Sequence, residues 1–407
     1  MVSKYDVFYV IASEGEIRPK DIAEAMNKPE SEYKAIFNHV MSLEKEGYVR
    51  RNRTVKVVLD SESKKLFGLI SFCMKNRINY NLMLKKTMVG FILKAARKEF
   101  FTNKDVGIHP QTFSLYVSAL SKYGLLLVMS KKPLKCKLLR HHFLTELAGF
   151  FGKKIEFYTD VKRSLIPEIE KELRKYRRNL RIEYTAVEDK ERNKEADYIY
   201  SSLNLEGNPL TLPETQKLIL ENIVPEKRKL EHIQETTNYR KAVDLMMGNA
   251  KKKVKLDLGL ILEYHKIAMS HIFGAGNIRK HNVRIKFNPD FKTCDWNLVP
   301  LKLGELLEKY REFESRKGYT ADIIRFASFF HNEFQRIHPF TDGNSRISRL
   351  LMLHIFRSHG IPVLDLPLGY FDMYLNLTKR STKRDDESFN YLVEEIILMN
   401  LKGINRT

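Results

Sequence analysis

The sequence predicts a mainly α-helical protein with small β elements, built from more than one domain. Apolar side chains recur at helical spacing along most of the 407 residues, and short alternating segments interrupt the helical pattern near the start. A chain of this length is expected to hold two to four domains. We divide it into four parts, residues 1–60, 61–155, 156–200 and 201–400.

Composition excludes several classes of protein. Residues 1–6 include the charged Lys4 and Asp6, and the N-terminus lacks the apolar core of a signal peptide. No apolar run is long enough to cross a membrane. The three cysteines lie far apart without Cys-x-x-Cys spacing, which argues against a disulfide framework or a zinc site. We therefore expect a cytoplasmic protein with no membrane partner.

The net charge of +21 is distributed unevenly. Residues 1–60 hold ten basic and ten acidic residues, whereas residues 61–156 hold 18 basic and five acidic ones. A basic block of this kind indicates a polyanionic partner such as nucleic acid, and a merely solvated basic surface is the alternative.

The first part carries the pattern of three short helices followed by a β-ribbon with a basic tip. This pattern resembles a winged helix-turn-helix, in which the third helix enters the major groove and the wing contacts phosphates. The helices are expected at residues 5–12, 17–26 and 31–46 and the second strand at residues 55–59. The wing contacts would be Arg50, Arg51 and Arg53.

A similar but more basic pattern returns in residues 61–155. We expect a long helix over residues 80–98, two shorter helices after it, and a second wing at residues 130–133 between two strands. Winged helices also serve as protein-docking modules, so the fold alone leaves both DNA and a protein as partners. The densely charged residues 166–178 then predict an exposed connecting helix.

The most informative segment is residues 338–349, which read His-Pro-Phe-Thr-Asp-Gly-Asn-Ser-Arg-Ile-Ser-Arg. An imidazole titrates near working pH, so His338 can accept a proton from an attacking hydroxyl. Asp342 is a hard oxygen ligand of the kind that holds Mg²⁺ on phosphates. Gly343 and the asparagine after it predict a tight turn into a helix, whose free N–H groups bind anions.

Two arginines in this segment are three residues apart, which would place both guanidiniums on one helix face as a phosphate clamp. A solvated arginine pair at a helix corner is the alternative. The whole run resembles the signature of the Fic family, His-x-Phe-x-Asp/Glu-Gly-Asn-Gly-Arg-x-x-Arg, and it departs at Ser345, where the family has glycine. The matching residues are His338, Phe340, Asp342, Gly343, Asn344, Arg346 and Arg349.

This resemblance implies an all-helical Fic core with a small β-hairpin flap and the activity of a protein adenylyltransferase. AMP would pass from ATP to a Ser, Thr or Tyr hydroxyl of a target protein, with release of pyrophosphate. His338 would be the general base, Asp342 would hold Mg²⁺, and Phe340 would anchor the nucleotide-binding loop. The phosphates would be bound by Gly343, Asn344, Ser345, Arg346 and Arg349.

Residues 201–208 resemble the inhibitory element of the family, Ser/Thr-x-x-x-Glu-Gly/Asn, through Ser202, Glu206 and Gly207. The resemblance implies that the carboxylate pairs with Arg349 and occupies the guanidinium meant for the γ-phosphate. An ordinary helix C-terminus has the same residue types and is the alternative. The position of the element implies the class whose inhibitory helix precedes the core in the same chain.

Two further segments are assigned by resemblance. An alternating strand that contains Val283, Arg284 and Ile285 looks like the flap, which aligns a target segment by adding it as a strand. Tyr370 and Tyr374 would place an aromatic ring against adenine, and a core role is the alternative.

Two other functions remain open, and Ser345 supports the first of them. A Cβ at a glycine position would crowd the anion-binding loop or strain its backbone, which favours a DNA-binding regulator that senses nucleotide with little turnover. The third interpretation is the reverse reaction, in which Glu206 positions water to remove AMP from a modified protein. A homo-oligomer is compatible with all three.

Overall fold

The computed structural model describes residues 2–158, 163–285, 288, 290–316, 318–362 and 365–405. Helices dominate the described residues, and the strands are short. Two compact units are formed, Met1–Ala119 with Lys135–Tyr158 and Leu120–Leu134 with Thr159–Thr407. No helix within these ranges is long and apolar enough to cross a membrane.

The first 158 residues contain short helices and all the regular strands of the described chain. The helices are α1 (Lys4–Glu14), α2 (Ile22–Ala25), α3 (Tyr33–Lys45), α4 (Ser61–Lys75), α5 (Tyr80–Met83), α6 (Lys86–Ala96), α7 (Asn103–Val106), α8 (Pro110–Lys122) and α9 (His142–Phe150). The strands are β1 (Glu16–Ile17), β2 (Val49–Arg51), β3 (Val55–Val57), β4 (Leu126–Lys131) and β5 (Leu134–Leu138).

The first strands form a three-stranded antiparallel sheet with the order β1-β3-β2, which lies against α1. Ser3 and Asp6 form a capping box at the start of α1, and Gly15 ends it with φ 76°. The helix packs against α3 and the central strand β3. Phe8 and Ile11 of α1 are fully buried, so apolar burial holds the sheet against the helices.

The predicted wing arginines occupy different environments. Arg50 and Arg53 are exposed. Arg51 is half-buried, because its Nε donates to Glu44 at 3.2 Å and its guanidinium lies 5.5 Å above the ring of Phe37. Arg51 is therefore held within its own unit, unlike the freely solvated wing contact that was expected.

The long helix expected over residues 80–98 is divided into α5 and α6. Lys85 between them has an extended backbone, with φ −78° and ψ 130°. Asn79 caps α5 by accepting the N–H of Leu82 at 3.1 Å. The helical spacing of the apolar residues did not indicate this break, because no glycine or proline marks it.

The remaining residues form a helical unit around α16 and α17. Its helices are α10 (Ile166–Ile182), α11 (Tyr184–Asn204), α12 (Leu212–Gln216), α13 (Leu230–Lys251), α14 (Leu258–Ala268), α15 (Val299–Glu314), α16 (Thr320–Ile337), α17 (Asn344–Ser358), α18 (Phe371–Leu377) and α19 (Asp386–Ile404). The helices α16 and α17 pack against each other, α13 and α14 cover α17, and α19 covers α16. The turn between α16 and α17 is thereby held by helices on several sides.

The charged helix α10 is not the exposed connection that composition suggested. Its residues Ile169, Leu173 and Tyr176 are buried, and the helix packs against α19. The charges lie on the remaining faces, as in any amphipathic helix at the surface of a core.

The predicted flap has little regular structure within the described residues. Ile285 forms an isolated antiparallel bridge with Asn288, and no named strand includes either residue. Lys286, Phe287 and Pro289 lie outside the described residues. The expected β-hairpin therefore amounts to one bridge in the described part of the flap.

Candidate functional site

The turn between α16 and α17 depends on two residues in the left-handed region. His338 ends α16 with φ 51°, and Gly343 precedes α17 with φ 79°. A Cβ at Gly343 would lie 2.8 Å from Sδ of Met269, so this position requires glycine for its backbone conformation and for space. The helix α17 then begins with the N–H of Ile347 donating to the carbonyl of Gly343 at 3.0 Å.

Asn344 closes the loop on itself. Its Nδ2 donates to the carbonyl of Phe340 at 2.7 Å, and its Oδ1 accepts the N–H of Phe340 at 2.9 Å. Phe340 is fully buried and stacks on His265 with ring centroids 3.6 Å apart. Both amide atoms of Asn344 are bonded to the backbone of Phe340, so its side chain fixes the loop, and its contact with a phosphate stays a prediction.

His265 of α14 also holds the loop in place. Its Nδ1 accepts the N–H of Gly276 at 2.8 Å, and its Nε2 donates to the carbonyl of Asp342 at 3.0 Å. Burial lowers the pKa of His265 to about 4, so the ring is neutral and has one donor and one acceptor nitrogen. This role of His265 was not predicted.

Arg279 joins the beginning of the flap segment to the end of α16, and no sequence motif marked it. It is buried, and its Nε donates to the carbonyl of His338 at 2.6 Å. The terminal nitrogens donate to the carbonyls of His281 at 2.8 Å, Ile337 at 3.3 Å and Cys294. One guanidinium therefore satisfies four carbonyls from both segments.

A hydrogen bond to the end of α16 fixes the tautomer of His338. Its Nδ1 lies 3.1 Å from the carbonyl of Gln335, which can only accept, so Nδ1 carries the proton and Nε2 is the proton acceptor. Burial lowers the pKa of His338 to about 4, the Gln335 carbonyl opposes this shift, and the charge of Arg279 adds to it. The imidazole is therefore neutral at pH 7.

The structure brings the predicted inhibitory residues together with Arg349. The Nη2 of this buried arginine lies 2.9 Å from Oε1 of Glu206 and 2.8 Å from the carbonyl of Ser202, and its Nε donates to Oγ of Ser202 at 2.9 Å. Gly207 follows with φ 97°, just beyond the end of α11. The predicted pairing geometry is therefore present.

Glu206 binds a second cation that sequence reasoning missed. Its Oε2 accepts from the ammonium of Lys379, which lies between α18 and α19. Burial raises the pKa of Glu206, but the charges of Arg349 and Lys379 outweigh it and lower the pKa to about 2. Glu206 is thus an ionised carboxylate between two cations at neutral pH.

Arg346 is also paired with a carboxylate that no motif indicated. Its Nη1 donates to Glu235 of α13, and its Nη2 lies 3.2 Å from Oδ1 of Asp342. The other oxygen of Glu235 accepts from Nδ2 of Asn208 at 2.7 Å. Both arginines expected to bind phosphates are therefore occupied by carboxylates.

Tyr370 and Tyr374 lie in the core, and the expectation that they contact a nucleotide is not met by their positions. Both rings are buried, and neither lines the pocket at this site. The hydroxyl of Tyr374 accepts from Nη1 of Arg349 at 3.3 Å and bonds to Nε2 of His331 at 3.0 Å. Helical spacing of aromatic residues cannot distinguish such a core position from a pocket wall.

A pocket of about 890 Å³ opens onto these residues. This size is in the range of cofactor and nucleotide sites. The lining residues named by the sequence analysis are Glu206, Gly207, Arg284, Ile285, His338, Asp342, Gly343, Asn344 and Ser345, and Val283 is not among them.

Asp342 offers the kind of group that holds a divalent cation. Its side chain is 62% exposed and lies on the pocket wall. One carboxylate oxygen accepts the N–H of Gly343 at 2.6 Å and also lies near Arg346. A hard oxygen oriented in this way next to the start of a helix fits Mg²⁺ bound to phosphates.

Ser345 occupies the first turn of α17 and needs no special backbone conformation. It belongs to the helix Asn344–Ser358 and is not among the residues with positive φ. Its side chain is largely buried on the pocket wall. The expected backbone strain from replacing glycine is therefore not found.

We expect Gly343→Ala to lower the free energy of unfolding by about 1–3 kcal/mol more than Gly360→Ala. Both glycines are left-handed, with φ 79° and 74°, so both substitutions incur the same conformational cost of about 1–2 kcal/mol. Only the Cβ at position 343 meets Met269, whereas position 360 has no atom within 4 Å. Urea denaturation of both variants measures the difference, and equal losses would contradict the close packing of Gly343.

Comparisons with known proteins agree on this part of the chain. Residues 255–356 match the model of the Fic/DOC family. The protein adenylyltransferase Fic of Drosophila yakuba is 26% identical over 198 residues, and that of Drosophila melanogaster is 25% identical over the same length. Each alignment covers 47% of this chain and 38% of the relative, so the chain spans about two fifths of the length of these curated relatives.

A solved structure shares the fold. The Fic domain containing signaling protein from Bacteroides thetaiotaomicron superposes with a TM-score of 0.53 at 19% identity, over 59% of this chain and 97% of that chain. The signature loop, residues 338–349, lies within the segment that matches the family model. Residues 255–356 of this chain are therefore similar to the Fic/DOC family, and the fold is shared with a solved Fic-domain structure.

Proposed function

We propose that this protein is an adenylyltransferase that transfers AMP from ATP to a Ser, Thr or Tyr hydroxyl of a protein. The observation that carries the proposal is the neutral His338, whose unprotonated nitrogen belongs to the same pocket as the N-terminus of α17. A proton acceptor beside an anion-binding helix start is what phosphoryl transfer to a hydroxyl requires. The similarity to the Drosophila adenylyltransferases supports the same chemistry.

In the proposed reaction, Nε2 of His338 takes the hydroxyl proton while the oxygen forms a bond to the α-phosphorus. The bond from that phosphorus to the bridging oxygen breaks, and pyrophosphate leaves. The Gln335 contact holds the ring in the required tautomer, and the unpaired N–H groups in the first turn of α17 stabilise negative charge on the phosphates. Asp342 would hold Mg²⁺, which neutralises phosphate charge when bound.

We further propose that the arrangement with Glu206 between Arg349 and Lys379 is an inhibited state. Arg349 is almost wholly buried, and its guanidinium is already bonded to Glu206 and Ser202. An outer phosphate can bind this guanidinium only after Glu206 has moved away. The carboxylate also places negative charge in the pocket that must receive a polyanion.

We expect Glu206→Gly to raise self-modification by ATP and Mg²⁺ at least about tenfold over wild type, because a paired buried charge is worth a few kcal/mol. Intact mass measures the added AMP. Glu305→Gly is the matched control, since it removes a carboxylate paired with Lys302 outside the pocket lining and should leave labelling unchanged. Equal labelling of wild type and Glu206→Gly would refute the inhibitory role of Glu206.

In the Glu206→Gly background, we expect His338→Ala to abolish transfer and to leave ATP binding largely intact, because the base acts on the hydroxyl and not on the nucleotide. Asp342→Ala should instead weaken nucleotide binding that depends on Mg²⁺. Calorimetric titration with ATP, with and without Mg²⁺, separates the two effects from the transfer rate. Full transfer by His338→Ala would reject its assignment as base.

The second candidate function is DNA binding by the winged-helix-like first 155 residues, with the Fic domain as a nucleotide sensor. It is favoured by the exposed Arg50 in β2, by the exposed Arg53 in the turn after it, and by the basic block of residues 61–156. A transferase and a DNA-bound protein are compatible in one chain. A protein-docking role is the alternative for the same residues.

If β2 and the turn after it contact phosphates, Arg50→Glu with Arg53→Glu should weaken the binding of the full chain to duplex DNA of any sequence. Affinity should also fall steeply with salt. Lys251→Glu with Lys255→Glu makes the same charge change at exposed positions of the helical unit and serves as the control. No binding of wild type at low salt would favour protein docking.

A further inference from the structure

The mouth of the pocket carries exposed cations that the proposed chemistry does not use. We call these residues the basic rim, and they are Arg284, Lys292, Arg336, Arg380 and Lys383. None of them forms an ion pair within the described part of the chain. Their charge is therefore available to a molecule that enters the pocket.

Hydrogen bonds hold the three segments of the basic rim together. Nδ2 of Asn288 in the flap donates to the carbonyls of Lys379 and Ser381 at 2.7 and 3.1 Å. The N–H of Cys294 donates to the carbonyl of Arg336 near the end of α16 at 3.1 Å. The flap segment, the end of α16 and the loop after α18 thus form one continuous edge beside His338.

The phosphates of a nucleotide do not account for the basic rim. Arg346, Arg349 and Lys379 supply cations further inside the site. Arg384 also lines the pocket, but its charge is neutralised by Glu333 and Asp386. The five rim residues have no ion-pair partner within the described residues, and Asp290 is the acidic residue of the described lining besides Glu206 and Asp342.

We propose that the basic rim selects target segments that carry acidic residues beside the acceptor hydroxyl. This inference rests on the proposed transferase function and names its substrate class. Clustered charges of one sign raise the local concentration of oppositely charged partners and favour them over others. The modified hydroxyl then lies in an acidic peptide segment.

The chemistry of the pocket mouth favours a peptide over a nucleic acid. Arg284 is adjacent to Ile285, whose bridge to Asn288 shows that this backbone forms strand-type hydrogen bonds. An extended peptide uses such an edge for main-chain pairing. Single-stranded nucleic acid instead needs several aromatic side chains for base stacking, and Phe291 is the one phenyl, phenol or indole ring among the described lining residues.

The test uses the full-length Glu206→Gly protein with ATP, Mg²⁺ and peptides of one length that contain one Ser, Thr or Tyr. The flanking residues are Glu, Gln or Lys in three matched sets, and mass spectrometry measures AMP transfer. We expect kcat/KM for the Glu peptides to exceed that for the Gln peptides about tenfold at low salt, with the ratio falling as salt is added. The Lys peptides should be the poorest substrates.

The double variant Lys292→Gln with Lys383→Gln should reduce the preference for Glu over Gln peptides several-fold. It should leave kcat/KM for the Gln peptides unchanged. Lys251→Gln with Lys255→Gln makes the same charge change away from the pocket lining and should keep the preference. Self-modification is followed in every reaction as the measure of transferase activity. It should persist in both variant pairs.

Equal rates on the three peptide sets, or no peptide labelling while self-modification continues, would overturn the acidic-target proposal alone. If an added oligonucleotide suppresses peptide labelling and polyglutamate does not, the basic rim binds nucleic acid. This result would overturn the acidic-target proposal as well. No AMP transfer to any acceptor would instead overturn the proposed function. The two failures are therefore distinguishable.

Discussion

The buried guanidinium of Arg349 is the group on which the arrangement of the site depends. A charge in this position is tolerated only if it is paired and fully hydrogen-bonded. Ser202 of α11, Glu206 just after the end of α11 and Tyr374 of α18 supply those contacts, so the side chain of Arg349 links α17 to α11 and α18. Whatever replaces Glu206 must bring negative charge, and the γ-phosphate of a nucleotide is such a group.

The second arginine is joined to the same network through uncharged groups. The hydroxyl of Tyr239 accepts from Oγ of Ser202 at 2.9 Å and donates to the carbonyl of Arg346 at 3.3 Å. Asn208, two residues after Glu206, bonds to the Glu235 that pairs with Arg346. Displacement of the end of α11 would therefore disturb the partners of both arginines together.

The turn and the helix start of the signature loop could be predicted from sequence because they depend on adjacent residues, namely Gly343 and Asn344. The left-handed conformation of His338 was not predicted. Lys379 and Glu235 could not be predicted, since they lie 173 and 111 residues from the groups that they pair with. No periodic pattern connects such distant charges.

The fold shows the same limit of sequence-based prediction. Helical spacing predicted one helix over residues 80–98, whereas the structure has two, α5 and α6, because the extended backbone of Lys85 is not marked by glycine or proline. It also left Tyr374 undecided between core and pocket, since burial depends on helices far along the chain. Composition made α10 look like a linker, although Leu173 and its neighbours bury it against α19.

The four carbonyl contacts of Arg279 join the two ends of the flap segment to the end of α16. This residue holds the carbonyls of His281 and Cys294 at either end of the flap segment and those of Ile337 and His338 at the end of α16. The dozen residues enclosed between the two flap contacts can change in length or composition at a small entropic cost, because loop closure depends only weakly on length. The flap segment can therefore vary between its two contacts with Arg279 while the backbone of His338 stays in place.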